Sequence, residues 1–186
     1  TTEDAERAER MRMQGVVRSG LDGMDVVEPG GKSNLSDVHA AIALGQLPHL
    51  ATVTARRAAL ARAYFEAAER HRLSDLGIVL PLERADGEGV GNWHMFQVEL
   101  PAERLTGGRA GVMGDLREAG IGTGVHYPAL HLFSYYRSLG WRDGMLPHAE
   151  RLGASILTLP LFATMNEGDV ERVCAQLAAS VRSRLA

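Results

Sequence analysis

A chain of 186 residues with 45% hydrophobic and 23% charged side chains has the balance of a folded globular protein, large enough for one or two domains. Its net charge of -3 excludes a binder that works by neutralising nucleic-acid phosphates, because there is no basic surplus to do it. A single cysteine excludes an internal disulfide and no apolar run reaches the roughly 18 residues needed to cross a bilayer, so the default expectation is a cytoplasmic protein with neither membrane nor nucleic acid as partner.

The first ten residues, TTEDAERAER, read as a charged helix start and not as a signal peptide. Thr1 or Thr2 can cap that helix, Glu3 and Asp4 suit its dipole, and Glu3/Arg7 and Glu6/Arg10 are well-oriented i,i+4 pairs. Gly15 ends it. A helix ready-made at the first residue predicts that the chain is cut from something longer. Residues 16–33 hold Gly20, Gly23, Pro29, Gly30 and Gly31 and read as an irregular excursion. Ser36 or Asn34 then caps a helix over 37–47, and Pro48 breaks it. The next helix, 49–71, carries an apolar stripe through Leu50, Val53, Leu60, Ala61, Tyr64, Phe65 and Ala68, with His71 at its end helping the dipole.

From residue 76 the period changes. Residues 77–82 read as a short strand interrupted by Pro81, and 84–92 as a loop. WHMFQVEL (93–100) alternates Trp93, Met95, Gln97 and Glu99 against His94, Phe96, Val98 and Leu100, the pattern of a half-buried strand. A helix over 108–119 ends at Gly120, and a third strand candidate runs to Pro128. Short helices follow near 130–138 and 147–154, then a strand at 156–162. Asn166 with Asp169 starts the last helix, 167–184, whose one face carries Val170, Val173, Cys174, Leu177 and Val181. Cys174 there reads as a buried core thiol. Few, short strands among helices predict an α+β fold, a small and mostly antiparallel sheet covered by helices.

Seven histidines invite a metal hypothesis, but none stands at a helical HxxxH or beside a CxxC, and no metal is assigned. GIGTGVHYPALH (120–131) lacks the spacing of a phosphate loop. It is either a turn that needs close backbone approach or a site ending in His126 and Tyr127, two side chains able to donate and accept hydrogen bonds. Of the 20 basic residues only Lys32 is a lysine. It lies in GKSNLSDVHAAIALGQL (31–47), just ahead of a helix N-terminus. With Asn34 it makes either an anion-binding corner or a plain capped loop.

That stretch resembles a segment of the DegT/DnrJ/StrS family of pyridoxal-phosphate nucleotide-sugar aminotransferases. The likeness continues through RRAALARAYFEA, NWHMFQVEL, GIGTGVHYPALH, LPHAE and LTLPLFATMNEGDVERV, in the family's order and spacing, and its flavour is nearest to members acting on a UDP-4-keto-pentose. The resemblance implies the C-terminal small domain of a fold-type I aminotransferase: 1–35 as the helix and loop leading from a missing large cofactor domain, 36–186 as the small domain. It implies pyridoxal 5'-phosphate as cofactor, a homodimer with a cross-subunit active site, and a nucleotide-linked keto-sugar and an amino acid, typically glutamate, as substrates. Asn34 and Lys32 match positions near the cofactor phosphate of the neighbouring subunit. His126, Tyr127, Trp93 and His94 match positions flanking the sugar site, with His131 more distant. Gly31 and Ser33 depart from the aromatic residues common there. The Schiff-base lysine of the family belongs to the large domain, so no catalytic residue is assigned here and the isolated chain is expected to be inactive. Two alternatives stay open: a stand-alone binding or oligomerisation domain without catalysis, and the same family acting on a cyclic non-sugar ketone.

Overall fold

The computed structural model describes residues 1–19, 23–81 and 91–185, and the chain divides into two compact units, Thr1–Leu50 and Ala51–Ala186. The first unit opens with α1 (Thr2–Arg12). Thr1 caps it, its hydroxyl accepting the Asp4 N–H at 3.2 Å while the Asp4 carboxylate accepts from the Thr1 ammonium at 3.0 Å. Gln14 and Gly15 then take left-handed backbone conformations, and the chain turns into β1 (Val16–Ser19). β1 pairs antiparallel with β2 (Gly23–Val26), Val16 opposite Val26 and Arg18 opposite Met24. The expected irregular excursion is therefore partly a hairpin. Val17, Met24, Val26 and Val27 are all exposed, so the ribbon has no buried face to impose an alternating pattern on its sequence. Gly15 has to be glycine: a Cβ there would stand 1.7 Å from the Glu28 carbonyl oxygen. The Glu28 carboxylate in turn accepts from Arg7 Nε (3.0 Å) and Arg10 Nε (3.2 Å), tying the end of the hairpin to α1.

α2 (Asp37–Gln46) begins where expected, with the Ser36 hydroxyl accepting the His39 N–H. Pro48 does not end the helical path. It occupies a 3-10 turn, Leu47–His49, which leads directly into α3 (Leu50–Arg70), because a proline in a first turn removes no hydrogen bond the helix needs.

In the second unit α3 buries Leu60, Ala61, Tyr64, Ala67 and Ala68. β3 (Phe96–Glu99) pairs antiparallel with β4 (Ile156–Leu159), Phe96 opposite Leu159 and Glu99 opposite Ile156. The other two expected strands shrink to single bridges on either side of this pair, Val79 with Glu99 and Gly124 with Thr158. Pro81 and the glycines at 120, 122 and 124 explain why neither extends further. Residue 82 and most of the expected loop 84–92 lie outside the described residues. The alternation read in WHMFQVEL holds from Phe96 onward, with Phe96, Val98 and Leu100 buried; Trp93 departs from it with φ 44°.

α4 (Gly108–Glu118), α5 (Ser134–Ser138), α6 (Pro147–Ser155) and α7 (Glu167–Arg184) complete the unit, and the α+β expectation stands. α7 opens with the expected Asn166/Asp169 capping box and buries Val170, Val173, Cys174, Leu177 and Val181. Burial pushes the Cys174 thiol up to about 12, so it stays protonated and inert at neutral pH. His71 lies just past α3 and bonds Glu171 at 2.6 Å instead of serving only the dipole. Arg109 Nη1 donates to the carbonyls of Gly153 (2.6 Å) and Ile156 (3.0 Å), satisfying backbone at the end of α6.

α4 and α7 are clamped by Asp115, which accepts Arg184 Nε and Nη2 at 2.6 Å each and the Ser180 hydroxyl at 2.5 Å. The Arg184 bonds, then Ser180, hold the Asp115 carboxyl down to about 2. A depressed folded value adds stability that is present above the unfolded carboxylate range and is lost as pH falls through about 2. Asp115→Asn is therefore expected to cost about 1 kcal/mol at neutral pH, after allowance for solvent screening of this partly exposed pair. Urea titrations at stepped pH should show the gap to wild type closing between about pH 4 and pH 2; a gap independent of pH would remove the ion pair as its cause.

Candidate functional site

β3 and β4 set Gln97 directly opposite Thr158, and these two polar side chains anchor the loop that carries His126. Gln97 Nε2 donates to the His126 carbonyl at 2.7 Å and to Thr158 Oγ1 at 3.4 Å. Thr158 is 8% exposed, and its Oγ1 lies 2.9 Å from His126 Nδ1. A hydroxyl that accepts from Gln97 can donate its own proton to Nδ1, which leaves Nε2 as the outward ring nitrogen. The imidazole folds back over Gly124, where a Cβ would come within 2.7 Å of Cε1. Of the glycines in this loop, Gly124 thus serves close approach of a ring to backbone. Tyr127 follows through a cis peptide, 63% exposed, its ring set edge-on to His126 at 5.1 Å. Together they form a fixed imidazole beside an open phenol, suited to hydrogen-bonding a polar ligand.

The other expected sugar-site residues are placed differently. Trp93 is half-buried, stacked on Phe96 at 5.9 Å and edge-on to Phe65 at 5.8 Å, so its ring is committed to an aromatic cluster. His94 is exposed, its N–H donating to Asn92 Oδ1 at 3.0 Å. His131 is 6% exposed and turns to Glu150, not to His126. In the first unit, the Gly31 and Ser33 N–H groups donate to the carbonyls of Met11 and Arg12 at 2.9 Å, stapling the 31–33 segment to the end of α1. Lys32 and Asn34 are exposed on this stapled segment, just before the N-terminus of α2. Among the described residues, no three His, Cys, Asp or Glu side chains gather as a metal site, and no helix is long and apolar enough to cross a membrane.

Sequence reasoning alone passed over Gln97, Thr158 and Glu150. The first two did leave a signal, an uncharged polar residue between apolar neighbours in each of two short strands (Gln97 in FQVE and Thr158 in ILTL), since such a group needs a partner once buried. Glu150 left none.

The model of the DegT/DnrJ/EryC1/StrS aminotransferase family matches residues 1–178. The chain belongs to this family. Members of the DegT/DnrJ/EryC1/StrS family use pyridoxal phosphate as cofactor, and among the similar solved structures is Spr1654 of Streptococcus pneumoniae in its PLP form. Spr1654 is 22% identical with a TM-score of 0.81 over 100% of this chain and 45% of its own, a likeness of fold alone. The aminotransferase TlmJ from Streptoalloteichus hindustanus is 28% identical with a TM-score of 0.78, over 98% of this chain and 46% of that one. DesV of S. venezuelae is 29% identical with a TM-score of 0.76, over 97% and 45%. This DegT-family chain thus spans less than half the length of the solved structures it matches.

Proposed function

We propose that the chain is the C-terminal portion of a pyridoxal-phosphate aminotransferase that moves an amino group from an amino acid, glutamate by preference, to a nucleotide-linked keto-sugar. The observation that carries the reading is the family match over residues 1–178, joined to a coverage of less than half of each similar aminotransferase. Bound in the complete enzyme, the pyridoxal group supplies the electron sink for amino transfer.

The residues present fit one part of that cofactor and not another. Lys32 is exposed in a loop, without the enclosing apolar pocket that a Schiff-base lysine occupies, so it is no candidate for covalent attachment. Exposed Lys32 and Asn34, standing before the N-terminus of α2, do suit a phosphate: one brings an ammonium, the other an amide. In the proposed homodimer they reach the cofactor phosphate of the neighbouring subunit. His126 and Tyr127 bind and orient the keto-sugar, with Gln97 and Thr158 holding the imidazole. Trp93 and His94 are assigned to the sugar site on the resemblance alone, the Trp93 ring being held in the aromatic cluster with Phe65 and Phe96.

Mixing the isolated chain with pyridoxal phosphate, followed by dialysis, is expected to leave no visible absorbance band; a retained band lost in Lys32→Ala would overturn the claim that attachment lies elsewhere. In the complete enzyme Asn34→Ala should weaken cofactor retention about tenfold, as loss of one hydrogen bond to a charged group would. Unchanged affinity by fluorescence titration would count against the phosphate contact.

A further inference from the structure

The segment bearing His126 and Tyr127 is held at two points by residues three apart on one face of α6. Gly153 is buried, and a Cβ there would stand 2.4 Å from Ala129 N and 3.0 Å from the Pro128 carbonyl carbon. One turn earlier, the Glu150 carboxylate accepts from His131 Nε2 at 2.9 Å, from the Gly144 N–H at 2.9 and 3.0 Å, and from the Leu146 N–H at 3.1 Å. An ionised carboxylate only accepts, so the His131 proton facing it sits on Nε2. The backbone N–H of Gly144, followed by His131, holds the Glu150 carboxyl below its usual range, which keeps it charged at neutral pH.

Beyond backbone bonds from Leu139, Gly140 and Trp141 back to the carbonyls of Tyr136 and Arg137, and one from Met145 to Arg142, few contacts fix the strap over 139–146. Leu139, Met145 and Leu146 are exposed, and Gly140 and Gly144 sit in left-handed conformations with nothing near their Cβ positions. Trp141 lies edge-on to His131 at 6.1 Å, and Asp143 takes a two-pronged ion pair from Arg137 at the surface, worth little on its own. Arg137 Nε also donates to the Leu132 carbonyl at 2.8 Å. One carboxylate therefore joins the strap to the 3-10 turn Leu130–Leu132, which follows Tyr127 closely.

We propose that Glu150 is a positioning residue: by clamping the strap 139–146 to His131 it holds the His126–Tyr127 segment in the single geometry that receives the substrate. This rests on the reading that His126 and Tyr127 meet the keto-sugar, and the experiment separates the two. In the complete enzyme Glu150→Gln keeps the shape but turns an amide toward three donors. Hydrogen exchange at Gly144 and Leu146 is expected to quicken about tenfold or more while β3 and β4 keep their protection. KM for the keto-sugar should rise about tenfold with kcat within about twofold, since positioning is lost before chemistry is. His131→Gln, which retains an N–H for the carboxylate, should keep most of the strap protection.

Unchanged exchange in Glu150→Gln would overturn the clamp. Faster exchange with KM unchanged, or with kcat alone reduced, would overturn the positioning role. A wild-type complete enzyme that transfers no amino group to any keto-sugar would sink the functional reading instead, with the exchange measurement still deciding the clamp.

Discussion

Phe96→Ala is expected to remove about 4 kcal/mol of stability from the second unit. Phe96 is fully buried at the start of β3, opposite Leu159 of β4. Its ring stacks on Tyr64 at 4.5 Å and on Trp93 at 5.9 Å, and meets Phe65 edge-on at 5.3 Å. Truncation removes the buried area and these aromatic contacts together. α3 and the sheet both border the cavity, and neither can collapse into it without breaking the β3–β4 register. Urea unfolding at neutral pH measures the loss, and a value below about 2 kcal/mol would show that the neighbours refill the space. In the complete enzyme the same substitution should also loosen Trp93, which leans on this ring.

Gly153→Ala sets two effects of opposite sign against each other. Helix propensity favours alanine inside α6 by about 1 kcal/mol. Geometry opposes it, because the new methyl would stand 2.4 Å from the Ala129 nitrogen, and backbone cannot swing away as a flexible side chain can. Overpacking of this kind costs up to about 3 kcal/mol, so a net destabilisation of about 2 kcal/mol is expected. Gly114→Ala in α4 is the control, since nothing lies within 4 Å of its Cβ position and propensity should win there. Thermal or urea unfolding of both variants gives the comparison. Stabilisation by Gly153→Ala would mean that α6 does not press on the loop as described.

What the sequence disclosed follows the reach of each signal. The capping box Asn166/Asp169 and the apolar face of α7 were legible because every residue involved lies within a few turns of the next. The β1/β2 hairpin was not, since an exposed ribbon carries no alternation and its glycines spoke louder than its valines. Trp93 looked like a continuation of the strand alternation, but a left-handed residue is not announced by side-chain polarity. The family was legible from long ordered motifs, yet the arrangement around His126 was not. Gln97 meets Thr158 only through a pairing of strands far apart in the chain, and Glu150 meets His131 only after α6 folds back. The histidines could be nominated from the sequence; their partners needed the fold.

The pairing of β3 with β4 also has a consequence for how the protein is made. Phe96 leaves the ribosome well before Leu159, and α7, whose buried face closes the core, follows later still. At about 5–20 residues per second of synthesis, the aromatic cluster waits for several seconds without its strand partner or its covering helix. The nascent chain therefore carries this aromatic surface without its covering strand and helix during that interval, which is when a chaperone could shelter it.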